Sequence, residues 1–223
     1  MFDKITIIGC GLIGSSLLRI IDKKKLSKQI NVFDKSKEVS EFIKNNFKVK
    51  VFNDVADSVS GSDLVIISSP LSSYKEILLS IKSTLKKDVI LTDTGSAKKE
   101  IKKIINNFNL DQVHWISSHP IAGTEFSGPE SGFAELFKDR WCILSSENQK
   151  ETQKFNLLKK FWEALGSKVK LMSFDDHDYV LSITSHLPHA IAYSIIRTVI
   201  KNEDKFKEEI IQYSASGLRD FTR

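Results

Sequence analysis

The chain has 223 residues, of which 41% are apolar and 27% charged, with a formal net charge of +5. A chain of this size buries a core of one or two domains, and its composition is that of an ordinary globular protein. The lysines are scattered and form no basic block interleaved with aromatics, which excludes a nucleic-acid stripe and leaves a solvated surface whose mild positive field favours small anions.

The first run, ITIIGCGLIGSSLLRII, imitates a signal peptide. Its flank Asp3-Lys4 has no net positive charge, three glycines punctuate it, and Arg19 lies inside it. A strand, a glycine turn and a helix explain it better. No other run approaches the roughly 20 apolar residues of a membrane span. Cys10 and Cys142 are the only cysteines and offer neither metal-ligand spacing nor a disulfide framework, so the expected location is a reducing cytoplasm.

β-rich runs then alternate with helical ones. Strands are predicted at 4–8, 29–33, 48–52, 63–68, 88–92, 114–117, 140–145 and 168–172. Helices are predicted at 12–25, from a Ser36 N-cap to about Asn46, at 74–86, from about Ala97 to Asn107, and at 151–165. Such alternation predicts a Rossmann-type, doubly wound and mostly parallel sheet with both faces covered. From Ser173 the periodicity is helical only: YVLSITSHLPHAIAYSIIRTVI, in which Pro188 should cause a kink, and then KFKEEIIQYSAS. Ser173 is placed to cap the first of these helices, with Asp175 and Asp176 in its first turn as the macrodipole favours. The domains expected are therefore a dinucleotide-binding domain over 1–172 and a helical one over 173–223. About fifty residues are too few for an independent core, so the helical part reads as incomplete.

Gly9, Gly11 and Gly14 sit between the first strand and the first helix in the pattern GxGxxG. By itself that match is weak, because glycine turns are common. Here the context agrees: the glycines allow a tight turn, close approach of a pyrophosphate and close helix–sheet packing, and the helix N-terminus faces the phosphates. Asp34 ends the second strand 20 residues after Gly14, where a ribose-binding acid belongs. Its carboxylate suits the ribose of NAD and repels the phosphate of NADP, although Lys35 and Lys37 soften that repulsion and leave NADP open. Leu12 and Ile13 in the loop, and Ser69 and Pro70 after the fourth strand, complete the expected cofactor set.

In SSHPIAGTEFSGPE, His119 follows the segment HWIS, and Ser96 in LTDTGSAK follows the strand ending near Thr92. Ligands of doubly wound sheets bind beyond the carboxyl ends of the strands. Two such side chains can converge on a nicotinamide, the histidine removing a hydroxyl proton while hydride leaves the same carbon. A His-Pro pair alone is more often structural; the glycine loop in the same sheet turns the reading toward catalysis. His186 and His189 share a helix face, but no third ligand of suitable spacing accompanies them, so no metal is expected. His177 reads as a helix-start residue, the tryptophans and most phenylalanines as core, and Cys10 as a small packing residue.

Five segments, GCGLIG, DTGSAK, SSHPIAGTEFSGPE, the HD…SHLPHAIA helix and GLRDFTR, occur in the order found in one family. The chain resembles the prephenate and arogenate dehydrogenases of tyrosine biosynthesis. The pairing of HPIAGTE with SHLPH is the specific part. The resemblance implies NAD-dependent oxidative decarboxylation of a dicarboxylate, with no metal and no covalent nucleophile. By that resemblance His119 takes the proton from the ring hydroxyl, and Ser96 bonds both to that histidine and to substrate or nicotinamide. It also implies that Glu125 belongs to a gated polar network, that His189 and Arg223 contact substrate, and that Arg219 has a lesser role. Arginine grips carboxylates in a bidentate way that lysine does not. Further helices, completing the pocket and a homodimer, are implied beyond Arg223. Two rivals stand: another dehydrogenase, acting on β-hydroxyacids, which would lack HPIAGTE and SHLPHA, and a non-catalytic dinucleotide-binding module such as a sensor.

Overall fold

The computed structural model describes residues 1–108, 110, 112–146, 152–201, 213 and 218. Strand β1 (Phe2–Ile8) runs into helix α1 (Leu12–Lys23), followed by β2 (Ser27–Phe33), α2 (Lys37–Asn46), β3 (Lys50–Phe52) and α3 (Val55–Val59). Next come β4 (Leu64–Ile67), a 3-10 turn at Leu71–Ser73, α4 (Tyr74–Ile81), β5 (Ile90–Asp93), α5 (Lys98–Asn106) and β6 (His114–Trp115). These strands form one sheet in the order β3-β2-β1-β4-β5-β6, and every pairing in it is parallel. The order reverses between β1 and β4, which opens a crevice beyond their carboxyl ends.

A second sheet is built from β7 (Ser117–Pro120), β8 (Trp141–Ser145) and β9 (Lys168–Leu171), with α6 (Gln153–Ala164) between the last two. β7 runs antiparallel to β8, and β8 parallel to β9. The expected strand 114–117 is therefore two strands in two sheets, separated by Ile116.

Parallel strands covered on both faces need apolar residues in succession rather than in alternation. β4 and most of β1 show this, with Ile5, Ile7, Leu64, Val65 and Ile66 at 0% exposure. One core cluster packs α1 and α6 against the sheet through Leu17, Leu18, Phe161 and Trp162; the other packs α4 and α5 through Leu78, Ile81 and Ile101.

The contacts divide the chain into two compact units, Met1–Phe174 and Asp175–Arg223. α7 (Phe174–Leu181), which begins at the last residue of the first unit, carries Asp175 and Asp176 in its first turn, and α8 (Leu187–Lys201) follows a π-helical turn at Ser182–His186. Proline has no N–H to donate to the preceding turn. The π turn ends two residues before Pro188, where the Leu187 N–H reaches back to the Ser182 carbonyl, five residues away. The expected helix near KFKEEIIQYSAS lies largely outside the described residues.

Candidate active site

At the sheet's crevice the three glycines of the first loop have three different environments. Gly9 has φ +89°, and a Cβ there would lie 2.8 Å from the backbone of Ser68 and Ser69. Gly14 faces inward, where a Cβ would be 2.0 Å from the Gly9 carbonyl oxygen; this is what lets α1 sit so close to the strand. A Cβ at Gly11 would meet nothing within 4 Å, since Gly11 borders open space. That space is a cavity of about 810 Å³, bounded also by Leu12, Ile13, Asp34, Ser69, Pro70 and Ser96. Gly11 caps α1 without a side-chain hydrogen bond, so the first-turn N–H groups are not occupied by a capping side chain. An open glycine face and a helix N-terminus on one cavity are what a pyrophosphate needs.

The Asp34 carboxylate is already engaged on one side. Its Oδ2 accepts the Cys10 N–H at 2.6 Å and its Oδ1 accepts the Ser36 N–H at 2.9 Å. Asp34 thus ties the glycine loop to the start of α2, and a carboxylate has lone pairs left for a ribose hydroxyl. Lys35 stands 3.7 Å from Glu76 across the cavity mouth, both side chains exposed, so this pair contributes little to stability. The Cys10 thiol lies buried beneath the loop; burial, with the Asp34 charge adding to it and Arg19 opposing, pushes it up to about 12. It is an inert packing group.

The opposite wall is rich in hydroxyls. Thr94 Oγ1 donates to Ser68 Oγ at 3.2 Å, and Ser73 Oγ to Ser69 Oγ at 3.0 Å. Ser96 is exposed at the end of this wall, past β5. Of the residues singled out in the sequence, Gly9, Gly11, Leu12, Ile13, Asp34, Ser69, Pro70 and Ser96 meet in the one cavity.

His119 is placed differently from the sequence expectation. It does not follow a strand; it is the third residue of β7, opposite Ile143 of β8, and is half-buried. The reason is that the chain leaves β6, and with it the pairing to β5, after Trp115 and re-pairs with β8. His119 is not among the walls of the cavity. Glu125 is exposed on the following loop, whose far end is pinned to α1: the Phe133 N–H donates to Ser16 Oγ at 3.1 Å, and Gly132 fits where a Cβ would be 2.1 Å from Ser15 Oγ. In the second unit His189 is exposed on α8. His177 Nδ1 is 2.8 Å from Asp178 Oδ1. Arg219 and Arg223 lie outside the described residues. No group of three potential metal ligands is found among the described residues.

The sequence reading missed a buried polar cluster behind Ser96 and His119. Lys98 is fully buried and donates to Asp93 Oδ2 and to the Ser118 carbonyl, each at 2.6 Å. Ser117 Oγ donates to Asp93 Oδ1 at 2.6 Å, and the Ser118 hydroxyl meets both Thr92 and the Trp162 N–H. The sequence signal was slight: one lysine and one aspartate flanking GSA.

The fold and cavity define a dinucleotide-binding domain of the dehydrogenase type, followed by a helical unit. Residues 18–171 match the family described as prephenate dehydrogenase, nucleotide-binding domain, and residues 173–223 its dimerization domain. A cyclohexadienyl dehydrogenase from Zymomonas mobilis is 40% identical over the whole chain, which spans 76% of that relative. A prephenate dehydrogenase from Lactococcus lactis is 32% identical over 99% of the chain, which spans 60% of it. The crystal structure of prephenate dehydrogenase from A. aeolicus, in complex with hydroxyphenyl propionate and NAD⁺, superposes with a TM-score of 0.87 at 30% identity, covering 100% of this chain and 78% of that one. The chain belongs to the prephenate dehydrogenase family.

Proposed function

We propose that this chain catalyses the NAD-dependent oxidative decarboxylation of prephenate, giving 4-hydroxyphenylpyruvate, of arogenate, giving tyrosine, or of both. The observation that carries the reading is the cavity where the open face of Gly11 and the first turn of α1 share walls with Ser96. The residues present fit the cofactor. Gly11 and the α1 amides would hold the pyrophosphate, the remaining lone pairs of Asp34 the ribose, and Ser69 and Pro70 the wall beyond it. NAD⁺, when bound, supplies the hydride acceptor.

In this reading His119 is the general base for the ring hydroxyl, and Ser96 orients that imidazole and the hydroxyl. Hydride and the hydroxyl proton leave one carbinol, the ring carboxylate departs as carbon dioxide with its bonding pair passing into the ring, and a proton returns to the ring oxygen to give the phenol. Aromatisation makes this strongly downhill, so the residues have mainly to align groups and place charge. His189 and Arg223 are assigned to the substrate, Arg223 as a fork for a carboxylate, with Arg219 secondary and Glu125 part of the polar network. The match to a dimerization domain over 173–223 supports a homodimer. Two buried thiols suit a chain working in a reducing cytoplasm.

The test is NADH absorbance with NAD⁺ and each of the two substrates. NADH should appear, and His119→Asn should abolish it while NAD⁺ still binds. Tight NAD⁺ binding with silence toward both substrates overturns the assignment.

A further inference from the structure

We infer that the buried Lys98–Asp93 pair is a positioning device that sets His119 and Ser96 in a common frame. The proposal rests on the catalytic reading of those two residues given above.

Asp93 and Lys98 are 2% and 0% exposed, an expensive place for two charges unless both are well bonded. Their bonds go to the flanks of the two functional residues. Lys98 Nζ donates at 2.6 Å to the carbonyl of Ser118, whose peptide bond carries the His119 nitrogen. Asp93 Oδ2 accepts Lys98 Nζ at 2.6 Å and the N–H of Gly95, the residue before Ser96, at 3.0 Å. Asp93 Oδ1 accepts the Ser117 hydroxyl at 2.6 Å. Side chains alternate along a strand, so Ser117 and His119 share the face of β7 that looks toward Asp93, roughly 7 Å apart. From the other face the Ser118 hydroxyl is held by Thr92 and by the Trp162 N–H. β7 and the β5–α5 turn are thereby joined through one ion pair, although they belong to different sheets. Among the titratable groups against the pair are Tyr74 of α4 and Cys142 of β8, both driven upward by burial and so neutral.

A structural ion pair elsewhere in the core would hold the fold alone. This one, placed between two functional residues, should act on kcat far more than on the KM for NAD⁺, because it braces the Gly95–Ser96 edge of the cavity and does not touch the glycine loop that would hold the pyrophosphate. Removing one partner leaves a buried charge and risks unfolding, so the central variant replaces both with apolar residues, Asp93→Leu with Lys98→Met, an exchange that buried pairs often tolerate. In this folded double variant kcat should drop about 10²-fold, the effect of a roughly 1 Å misplacement, while the KM for NAD⁺ stays within about twofold. The midpoint of the His119 ring, followed by ¹⁵N NMR, gives a readout independent of turnover. It should rise in Lys98→Met, where a nearby positive charge is lost, and fall in Asp93→Asn, where a negative one is lost.

A folded double variant with parental kcat, or single variants that leave the His119 midpoint unmoved, overturns the proposal. A parent chain that turns over neither substrate overturns the functional reading instead, and the NMR midpoints then decide the positioning role alone.

Discussion

A methyl group added at Gly11 enters open space, whereas one added at Gly14 falls 2.0 Å from a backbone oxygen that cannot move aside. The two substitutions should therefore separate binding from folding. Gly14→Ala should lower stability by about 1–3 kcal/mol, as over-packing does. Gly11→Ala should leave the urea midpoint almost unchanged yet weaken NAD⁺ about tenfold, equivalent to about 1.4 kcal/mol, because the methyl occupies the phosphate approach. Titration calorimetry beside urea melts of both variants checks this, and a Gly11→Ala protein with parental affinity would refute it. Asp34 has two tasks, the Cys10 and Ser36 amides and the proposed ribose contact. Asp34→Ala should weaken both cofactors through the loosened loop and NAD⁺ far more than NADP⁺ through the lost ribose bond. Equal losses would mean that Asp34 acts on the loop alone.

At the scale of elements, what could be read was whatever sequence period or cap chemistry marks. Ser36 was legible as an N-cap, and its hydroxyl does accept the Val39 N–H at 3.3 Å; Ser36→Ala should cost about 1 kcal/mol in urea melts, with Asp34 still bound to the Ser36 amide. The helix expected over 74–86 stops at Ile81, and α3 went unseen because five residues carry too little period to detect. The strand 114–117 was misjudged for a different reason. A change of sheet is a tertiary event, and HWISSHP looks the same whichever neighbour it pairs with. The Lys98–Asp93 pair was illegible on the same ground, since DTGSAK reads as an exposed turn until α5 and β7 close over it. Asp63 is a further long-range tie: its Oδ2 accepts the Asp3 and Lys4 amides, each at 2.9 Å, linking β1 to the start of β4, and Lys86 pairs with Oδ1. Burial alone would raise this carboxyl, but the Lys86 bond and the two amides outweigh it and hold it below its ordinary 3.8. A depressed carboxyl contributes stability that is complete above its unfolded pKa and is lost as pH falls through the folded one. Asp63→Ala should therefore cost about 1 kcal/mol at pH 7, as the loss of solvent-accessible hydrogen bonds to a carboxylate does, with the gap to the parent closing below about pH 4. A gap of constant size in urea melts from pH 7 to pH 3 would contradict the charged role.

At the scale of the whole molecule, the sequence's change from alternating to purely helical period near residue 172 falls beside the division of the structure into units at Phe174–Asp175. What period could not supply is the state of the second unit. A helix apolar on most of its circumference is normally buried. In α8, Ile195 and Val199 are half-buried, yet Leu187, Ile191, Ile196 and Ile200 are exposed at 39–56%. No helix among the described residues is long and apolar enough to cross a membrane. We propose that a second copy covers this face, in keeping with the dimerization family that matches 173–223. Association of this kind makes folding depend on concentration: the chain should sediment as a dimer, and each tenfold dilution should lower its apparent stability by about 1.4 kcal/mol per dimer. Ile191→Glu places a charge in the middle of that face and should shift sedimentation to the monomer while NAD⁺, held by the first unit, binds as before. A parent chain that sediments as a monomer, or a glutamate variant that still pairs, would leave the apolar face of α8 without this explanation.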